Sequence, residues 1–434
     1  MGCMARGIDV SALAAACRRQ TDRLVRRHGP RLPGSRACRD TAAAIARLAR
    51  TFADSVEVEP FRVHPGSFYA YTKILPVSYA AGLAALFAAG SLGRLAAVAA
   101  VAPAIAGLAA GIALMILQFG LYRHAGDRLF AARTATNVEA VIEPAGKAER
   151  ELILSGHHDS APVARILSGP FSSLYVVAVL APYPFFAVEL ALLLLVLLGS
   201  AAPYGWGLPF LLAGLPFVVG YFFLVALRRG SPGAGDNLVS SVMVAMLGKE
   251  LAARKPALLA STRVRIVSFD AEEAGLRGAS AYFEARAADP KRLPCVHLNF
   301  DSLYRVRDLQ VLTSDVNGSV GLSRPLVDAL VACAGQDGIA LRTYGMVFGA
   351  GGTDAAESAR VGIASTSIIA LPTEVFSDRL VYHTPRDTVE HVEPGVVEAC
   401  LKIALRLLAR LEARGLDAGA RSAGAAAPAA RRRS

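Results

Sequence analysis

Residues 265–278 read RIVSFDAEEAGLRG, from Arg265 to Gly278. The stretch opens with the apolar alternation of a buried strand and ends in a glycine-containing turn that can start a helix. Between them stand two adjacent carboxylates, Glu272 and Glu273. Neighbouring acids at a strand end repel each other and are costly to desolvate unless a cation lies beside them. The pair therefore either faces solvent or serves a metal ion and a water molecule.

Composition indicates a membrane protein with a sizeable polar part. The chain has 434 residues, of which 54% are hydrophobic and 19% charged, and its mean hydropathy is +0.42. This balance is more apolar than that of ordinary globular proteins and points to membrane segments. The length suffices for two or three domains, or for one large α/β domain with insertions.

The charge and the cysteines exclude several function classes. The formal net charge is +11, and part of it lies in an Ala/Arg run near the end of the chain, Ala425–Arg433. We interpret the arginines as membrane-flanking and solubilising, because no basic and aromatic residues interleave as in nucleic-acid binding. The six cysteines are scattered without a CxxC pair, which is typical of reduced residues in the cytoplasm. No apolar region typical of a signal peptide follows the N-terminus.

Four uncharged or nearly uncharged segments predict two transmembrane hairpins. The first pair comprises residues 74–93 and 95–122, and the second comprises residues 172–199 and 207–227. Each is about 20 residues or longer, enough to cross a hydrocarbon core of about 30 Å. Pairs of buried helices in a soluble protein are the alternative. Glu189 lies inside the third segment. It is either a functional carboxylate, or a residue that lies near the end of the segment or faces another helix.

The flanking arginines predict the orientation. Five arginines border the segments on the side of the long polar stretches, whereas the short hairpin loops contain only Arg94. By the excess of positive charge on the cytoplasmic side, the polar part is expected in the cytoplasm. These arginines are Arg123, Arg128, Arg133, Arg228 and Arg229.

The polar part alternates between strands and helices, which predicts a mixed, mostly parallel sheet flanked by helices. Polar residues follow the predicted strands 151–155, 265–269 and 295–300. In such a sheet, residues distant in sequence gather beyond the carboxyl ends of the strands. The residues expected there are His157, Asp236, Glu272, Glu273, Asp301 and His383.

Two imidazoles and several carboxylates are a plausible ligand set for two zinc-like ions, with one shared carboxylate and one acid left as a base. Taken singly, each residue has a simpler explanation. A histidine at a strand end is often a satisfied polar residue, and Asp236 with Asn237 could cap the helix that runs to about Ala253.

Five ordered motifs resemble those of the co-catalytic zinc aminopeptidases of metallopeptidase family 28, relatives of glutamate carboxypeptidase and of the transferrin receptor. The motifs are GHHDS at 156–160, GAGDN at 233–237, FDAEEAGLRG at 269–278, NFD at 299–301 and YHTPRDT at 382–388. The resemblance covers about residues 136–413 outside the apolar segments. It implies a zinc exopeptidase fold, and the apolar hairpins are departures from the family pattern.

The resemblance also implies a role for each site residue. His157 and Asp301 would hold one zinc ion, Glu273 and His383 the other, and Asp236 would bridge them. Cobalt or manganese could also occupy such sites of nitrogen and oxygen ligands.

Three further residues and one peptide bond take roles from the same resemblance. Glu272 would be the general base, Asp159 would orient His157, and Tyr382 would help to polarise the scissile carbonyl. A cis peptide bond is implied between Asp236 and Asn237.

The expected activity is the removal of N-terminal residues from peptides with a free amino group, by a protein embedded in the lipid bilayer. A carboxypeptidase, a dipeptidase, a single-zinc glutaminyl cyclase and a non-catalytic, receptor-like partner are the alternatives. The sequence indicates neither the residue removed nor the oligomeric state. The expected organisation is an N-terminal helical part of the peptidase domain (1–72), a first transmembrane hairpin (73–122), the first peptidase strands (123–166), a second hairpin (167–228), the main peptidase part (229–413) and a disordered tail (414–434).

Overall fold

A computed structural model describes residues 7–168, 174–200, 202–289, 292–371 and 380–414. Within these ranges the chain forms an α/β unit and a bundle of apolar helices. The tail expected at 414–434 lies outside the described residues except for Arg414, the last residue of a helix.

Strands and helices alternate along the α/β part. The strands are β1 (Ser55–Val63), β2 (Arg133–Ile142), β3 (Arg150–His157), β4 (Pro162–Ala164), β5 (Val225–Gly230), β6 (Thr262–Phe269), β7 (Cys295–Leu303), β8 (Gln310–Asp315), β9 (Val320–Gly321), β10 (Arg342–Gly345) and β11 (Ala364–Ala370). The helices are α1 (Val10–His28), α2 (Arg36–Ala49), α3 (Tyr71–Ala89), α4 (Arg94–Leu114), α5 (Tyr175–Leu180), α6 (Pro182–Leu197), α7 (Gly207–Phe222), α8 (Val239–Ala253), α9 (Lys255–Leu258), α10 (Arg277–Arg286), α11 (Arg324–Gly335), α12 (Ala355–Arg360) and α13 (Pro394–Arg414).

The central sheet is mixed and mostly parallel at its middle, which confirms the predicted fold class. Its strand order is β1-β2-β6-β3-β7-β11-β8-β10, and β9 pairs with β8. Strands β6, β3, β7 and β11 are mutually parallel, whereas β1, β2 and the β11–β8 contact are antiparallel. The carboxyl ends of the four parallel strands therefore meet at one edge.

Helices cover both faces of the sheet. Helices α1, α2, α8, α11 and α13 contribute to the larger hydrophobic core on one face. On the other face, Phe269 of β6 packs against Tyr282 and Phe283 of α10. The central strands are buried on both faces, as expected for a parallel sheet between helix layers.

The apolar segments pack into a bundle with a core of its own. Among the described residues, three helices are long and apolar enough to cross a membrane: Tyr71–Ala89, Arg94–Gly120 and Tyr175–Leu197. The second of these continues α4 by a π-helical turn, Met115–Gly120. Tyr79 and Leu86 of α3 and Leu211 of α7 are fully buried between these helices, while many outward residues are apolar and exposed.

The fourth predicted segment, 207–227, is too long. Helix α7 ends at Phe222, and the residues from Val225 onward form β5, which pairs with β4. At 1.5 Å per residue its 16 residues span about 24 Å, less than a hydrocarbon core. The start of the third segment, residues 172 and 173, lies outside the described residues, and its helix runs to Leu197 with a break at Ala181.

Glu189 faces another helix. Its side chain is fully buried inside the bundle, and its carboxylate lies against Gly82 of α3, where a β-carbon would approach Oε1 to 2.6 Å. Both carboxylate oxygens lack a hydrogen-bond partner. A buried carboxyl group in contact with a glycine of a neighbouring helix agrees with the second interpretation of this residue.

A buried ion pair joins the first apolar hairpin to the sheet. The Arg277 guanidinium at the start of α10 contacts Asp127 (Nε to Oδ2, 3.1 Å) and donates to the Gln118 side chain at the end of the apolar helix. Asp127 also accepts hydrogen bonds from Ser67 and Gln118, at 2.7 Å each. Since Arg277 follows Glu272 and Glu273 by only a few residues, this contact fixes the end of the hairpin against the loop that carries both acids.

We expect Asp127→Ala to destabilise the protein by about 3–5 kcal/mol, because it leaves the Arg277 guanidinium buried without its carboxylate. The unfolding temperature of the detergent-purified protein reports the loss. Asp328→Ala is the matched control, since it removes an exposed pair with Arg324 worth only about 0.5 kcal/mol. Equal unfolding temperatures for the two variants would contradict a structural role for the buried pair.

Candidate metal centre

The parallel strands deliver the predicted site residues to one edge of the sheet. His157 ends β3, Glu272 and Glu273 follow β6, and Asp301 lies near the end of β7. The register pairs His157, at the end of β3, with Phe269, at the end of β6. The two acids that follow β6 therefore leave the sheet at the same edge as His157.

Two further predicted residues come from loops. Asp236 lies in the turn between β5 and α8, and His383 follows the segment after β11. The peptide bond between Asp236 and Asn237 is cis, as the resemblance implied. Asp236 does not cap α8, however, because the helix begins after Leu238 without a side-chain cap.

Asp236 stands between the two histidines. Its Oδ1 lies 3.3 Å from Nε2 of His157, and its Oδ2 lies 3.0 Å from Nε2 of His383. Asp301 completes the first group, with Oδ2 3.8 Å from Nε2 of His157. Glu273 completes the second, with Oε1 3.3 Å from Nε2 of His383. One carboxylate thus offers each of its oxygens to a different imidazole.

These close approaches lack the geometry of hydrogen bonds. Nε2 of His157, Nε2 of His383, Oδ2 of Asp236 and Oε1 of Glu273 are all buried without a hydrogen-bond partner. Two ligand atoms on a tetrahedral zinc ion are about 3.3 Å apart at usual zinc–ligand distances. The lone pairs of these nitrogen and oxygen atoms converge at separations that fit a cation between them. Imidazoles and carboxylates are also residue types that bind zinc.

Asp159 supports the site from behind. Its Oδ1 lies 3.2 Å from Nδ1 of His157. The same carboxylate accepts hydrogen bonds from the backbone N–H groups of Glu272, at 3.2 Å, and Glu273, at 3.1 Å. One fully buried side chain therefore holds the loop of both acids and lies beside the imidazole of His157.

Glu272 lies at the border of the first group, with Oε2 3.6 Å from Nε2 of His157. Burial raises its pKa well above the usual range, and the Glu273 and Asp301 carboxylates raise it further. A carboxyl group beside the two ligand groups is placed to exchange a proton with a molecule bound there.

The pKa values of Glu273, Asp301 and His383 are also raised, whereas the two imidazoles lower that of Asp236 despite its burial. Burial and then Asp236 raise the pKa of Glu273 and of Asp301, each to about 7. Burial lowers the pKa of His383, but Glu273 and Asp236 outweigh it and raise the value to about 10. The raised pKa values of these three groups favour their protonated forms, which reduces the net negative charge of the cluster. A cation would satisfy the same demand.

His158 and Tyr382 have different surroundings. Nδ1 of His158 lies 2.8 Å from Oγ of Ser268, away from the ligand cluster, in agreement with the choice of His157 as the ligand. The ring of Tyr382 stacks on the imidazole of His383, with 3.7 Å between the ring centres.

Sequence reasoning missed Asp354, which ends a glycine-rich loop. Asp354 is fully buried, and neither of its oxygens has a hydrogen-bond partner. Burial raises its pKa well above the usual range, and the nearby Asp301 raises it further. Its position at the end of the glycine-containing loop, two residues after Gly352, was the available signal, because loops often carry functional polar residues.

Arg31 was also missed. Its fully buried guanidinium donates to the backbone carbonyls of His158 (2.7 Å), Pro232 (2.7 Å) and Gly233 (2.7 Å), and so clamps the two loops that carry His157 and Asp236. The prolines around it in the sequence indicate only a turn between two helices. Nothing local signals that the side chain is buried.

Asp387 positions the Asp236 turn. Its carboxylate accepts hydrogen bonds from the backbone N–H groups of Gly235, at 2.8 Å, and Asp236, at 3.2 Å. The residue belongs to the quoted motif at 382–388, but its role could not be derived from spacing.

Residues 218–408 match the family described as Peptidase family M28. Solved structures share the fold at low sequence identity. An aminopeptidase from Aneurinibacillus sp. strain AM-1 has 15% identity and a TM-score of 0.51, with 92% of this chain and 93% of that chain covered. A zinc aminopeptidase from Bacillus subtilis has 16% identity and a TM-score of 0.52, with 92% and 95% covered.

Cyclases have the same fold as these peptidases. A glutaminyl cyclase from Bacteroides thetaiotaomicron has 11% identity and a TM-score of 0.53, with 91% of this chain and 97% of that chain covered. No curated protein sequence matches the chain. The comparisons agree with the predicted fold and with an M28-type zinc peptidase domain.

We expect Asp159→Asn to weaken metal binding or lower activity by about 10- to 100-fold. The side-chain amide has one acceptor oxygen, so it cannot accept hydrogen bonds from the N–H groups of both Glu272 and Glu273 and also support His157 as the carboxylate does. Titration of the metal-free protein with zinc measures the change in affinity. Asp337→Asn, which alters a remote ion pair with Arg406, is the control. Unchanged zinc affinity and turnover in Asp159→Asn would refute the supporting role.

Proposed function

We propose that the protein is a di-zinc aminopeptidase anchored in a lipid bilayer. The observation that carries the proposal is the placement of Asp236, whose two carboxylate oxygens face Nε2 of His157 at 3.3 Å and Nε2 of His383 at 3.0 Å. A bridging carboxylate between two imidazoles suits two ions better than one.

The residues divide into two ligand groups that share Asp236. His157 and Asp301 would hold one zinc ion, and Glu273 and His383 would hold the other. When bound, the two ions would supply a water molecule of lowered pKa and polarisation of the scissile carbonyl. Glu272 would take a proton from the attacking water and deliver it to the leaving amine.

The other side chains orient this machinery. Asp159 holds His157 and the backbone of the Glu272–Glu273 loop, while Asp387 holds the turn of Asp236. Tyr382 stacks on His383, and in this proposal its phenol would help to polarise the carbonyl of the substrate. The free amino group of the substrate would bind close to one metal and its acidic ligands.

The apolar helices support membrane anchoring. Their outward surface carries large exposed side chains such as Leu95, Leu198 and Phe217, an arrangement that is unfavourable in water and suited to lipid. Trp206 is exposed beside the loop at one end of the bundle, and Lys73 lies at the other end, as at the two interfaces of a bilayer. Together with the flanking arginines, this supports a metal centre on the cytoplasmic side.

Glu272→Gln tests the chemistry. We expect the variant to retain zinc and to lose about 10²- to 10⁴-fold in kcat, because the amide cannot accept the proton. Zinc content and hydrolysis of leucine p-nitroanilide by detergent-purified protein are measured side by side, with the exposed Glu390→Gln as control. A substrate with a blocked amino group should not be hydrolysed.

The outcomes separate the candidate activities. Two zinc ions per chain, with hydrolysis lost only in Glu272→Gln, support the aminopeptidase. One zinc ion and cyclisation of an N-terminal glutamine would replace it with a glutaminyl cyclase. Metal bound without turnover of any free-amine substrate would contradict the proposed activity.

Asp236→Asn tests the bridging role. We expect this variant to lose both ions, because the side-chain amide has one ligand oxygen, whereas the carboxylate of Asp236 would offer one oxygen to each ion. Elemental analysis gives the zinc content, and the unfolding temperature should fall to that of the chelator-treated wild type. Retention of both ions in Asp236→Asn would contradict the bridge.

A further inference from the structure

The metal centre lies between the two apolar hairpins. On one side lies Tyr122, at the end of the first hairpin. It packs in one cluster with Leu276 of the Glu272–Glu273 loop and with Ala356, which follows Asp354 by two residues. On the other side, Tyr175 at the start of α5 packs with Leu380 near the Tyr382–His383 pair. Both hairpins therefore contribute to the walls around the site.

A short backbone path joins a metal-site residue to the end of an apolar helix. Ala164 of β4 donates its N–H to the carbonyl of His383 at 2.9 Å, and Ala164 is paired with Val225 of β5. Phe222, the last residue of α7, precedes Val225 by three positions. Two spacings between neighbouring strands, or roughly 10 Å, therefore separate His383 from the end of α7.

The more exposed members of the site lie on this same side. The side chain of His383 is 17% exposed, compared with 7% for Asp301 and none for His157. Tyr382, stacked on His383, is also partly exposed and contacts the cluster of Tyr175. The more exposed side of the metal centre is therefore the one that carries His383 and Tyr382, next to the helical bundle.

An exposed apolar loop lies at the same level. Val347 and Phe348 are 63% and 65% exposed, and Phe348 lies beside Gly120, the end of the second long apolar helix, Arg94–Gly120. Asn317 fixes this loop: its amide donates to the Phe119 carbonyl at 2.7 Å, and its side-chain oxygen accepts from the N–H of Gly349 at 2.9 Å. An apolar tip beside the end of a membrane helix is suited to the interface of a bilayer.

Cations and aromatic rings accompany the apolar residues at that level. The Arg165 guanidinium lies 5.7 Å from the ring centre of Phe223, which is 51% exposed. Lys73 donates to the carbonyl of Phe222 at the end of α7. Long cationic side chains and aromatic rings collect where hydrocarbon meets lipid headgroups. These residues mark the plane of the bilayer surface close to the metal centre.

We infer that the substrate is a peptide anchored in the same lipid surface by an apolar or acylated segment, whose free N-terminus reaches the metal centre from the membrane side. This inference rests on the proposed function. A path of roughly 10 Å requires only about three extended residues between the anchor and the scissile bond. Anchoring also raises the local concentration of a peptide at a site that lies beside the lipid.

The length of the tether tests this geometry. Peptides with one N-terminal sequence and a C-terminal palmitoylated lysine are prepared with linkers of about 4, 8 and 24 residues, and an unacylated peptide serves as reference. Each is assayed with the full-length protein in vesicles of phosphatidylcholine and phosphatidylglycerol. Leucine p-nitroanilide, a soluble substrate, is measured in the same vesicles, with Glu272→Gln as the inactive control.

We expect the peptides with the two shorter linkers to have a kcat/KM at least about tenfold above that of the unacylated peptide. Cleavage of only the peptide with the 24-residue linker would overturn the inference. An opening of the metal centre on the side away from the lipid would lie across a domain on the order of 45 Å wide, and a linker needs more than about 13 extended residues to reach it. Equal rates for acylated and unacylated peptides would also overturn it. In both cases hydrolysis of the soluble substrate would leave the proposed function intact, whereas its absence would reject the proposed function as well.

A pair of matched variants tests the apolar loop. Val347→Ser combined with Phe348→Ser should reduce the advantage of the shortest acylated peptide by about three- to tenfold, measured relative to the soluble substrate within the same variant. Val331→Ser changes an exposed valine on α11 and should leave that ratio unchanged. Equal ratios in the two variants would exclude the loop from the lipid contact and overturn this part of the inference.

Discussion

Repulsion between buried carboxylates is the constraint on which the rest of the structure depends. Asp159, Asp236, Glu273, Asp301 and Asp354 are all largely or fully buried within one small volume. Buried negative charge is tolerated only where hydrogen-bond donors or cations compensate it. The backbone N–H groups donated to Asp159, the Arg31 clamp and the two imidazoles each supply part of that compensation. The metal ions of the proposed function would supply the remainder.

The same constraint accounts for the rigidity of the surrounding loops. A ligand carboxylate that moved by an ångström would lose its partner and retain its charge. The Asp236 turn is accordingly fixed by Asp387 on one side and by Arg31, through Gly233, on the other. Gly233 has a φ of +60°, and a β-carbon there would come within 2.5 Å of Ser160, so the turn also depends on glycine. Charge, backbone geometry and close packing thus act at one place.

The central sheet and the gathering of the candidate residues at its edge could be predicted from the sequence, because strand ends and adjacent acids are local signals. His157 and Asp301 lie at the ends of strands whose apolar residues are contiguous in the chain. Arg31 could not be predicted, since its burial depends on contacts between distant segments. The length of the fourth apolar segment was wrong for a related reason: Val225 to Leu227 are apolar like the helix before them, and composition cannot distinguish a paired strand from the last turn of a helix.

The position of the hairpins in the chain has a consequence for biogenesis. Both apolar blocks precede β6, β7 and β11, yet β3, which lies between the two blocks, pairs with β6 and β7. In a bilayer-anchored chain, the ribosome therefore delivers both hairpins to the insertion machinery before the partners of β3 have been synthesised. The sheet then closes around helices that already have a fixed place in the lipid. Under the proposed function, closure of the sheet and any binding of metal would therefore follow insertion and take place at the membrane surface.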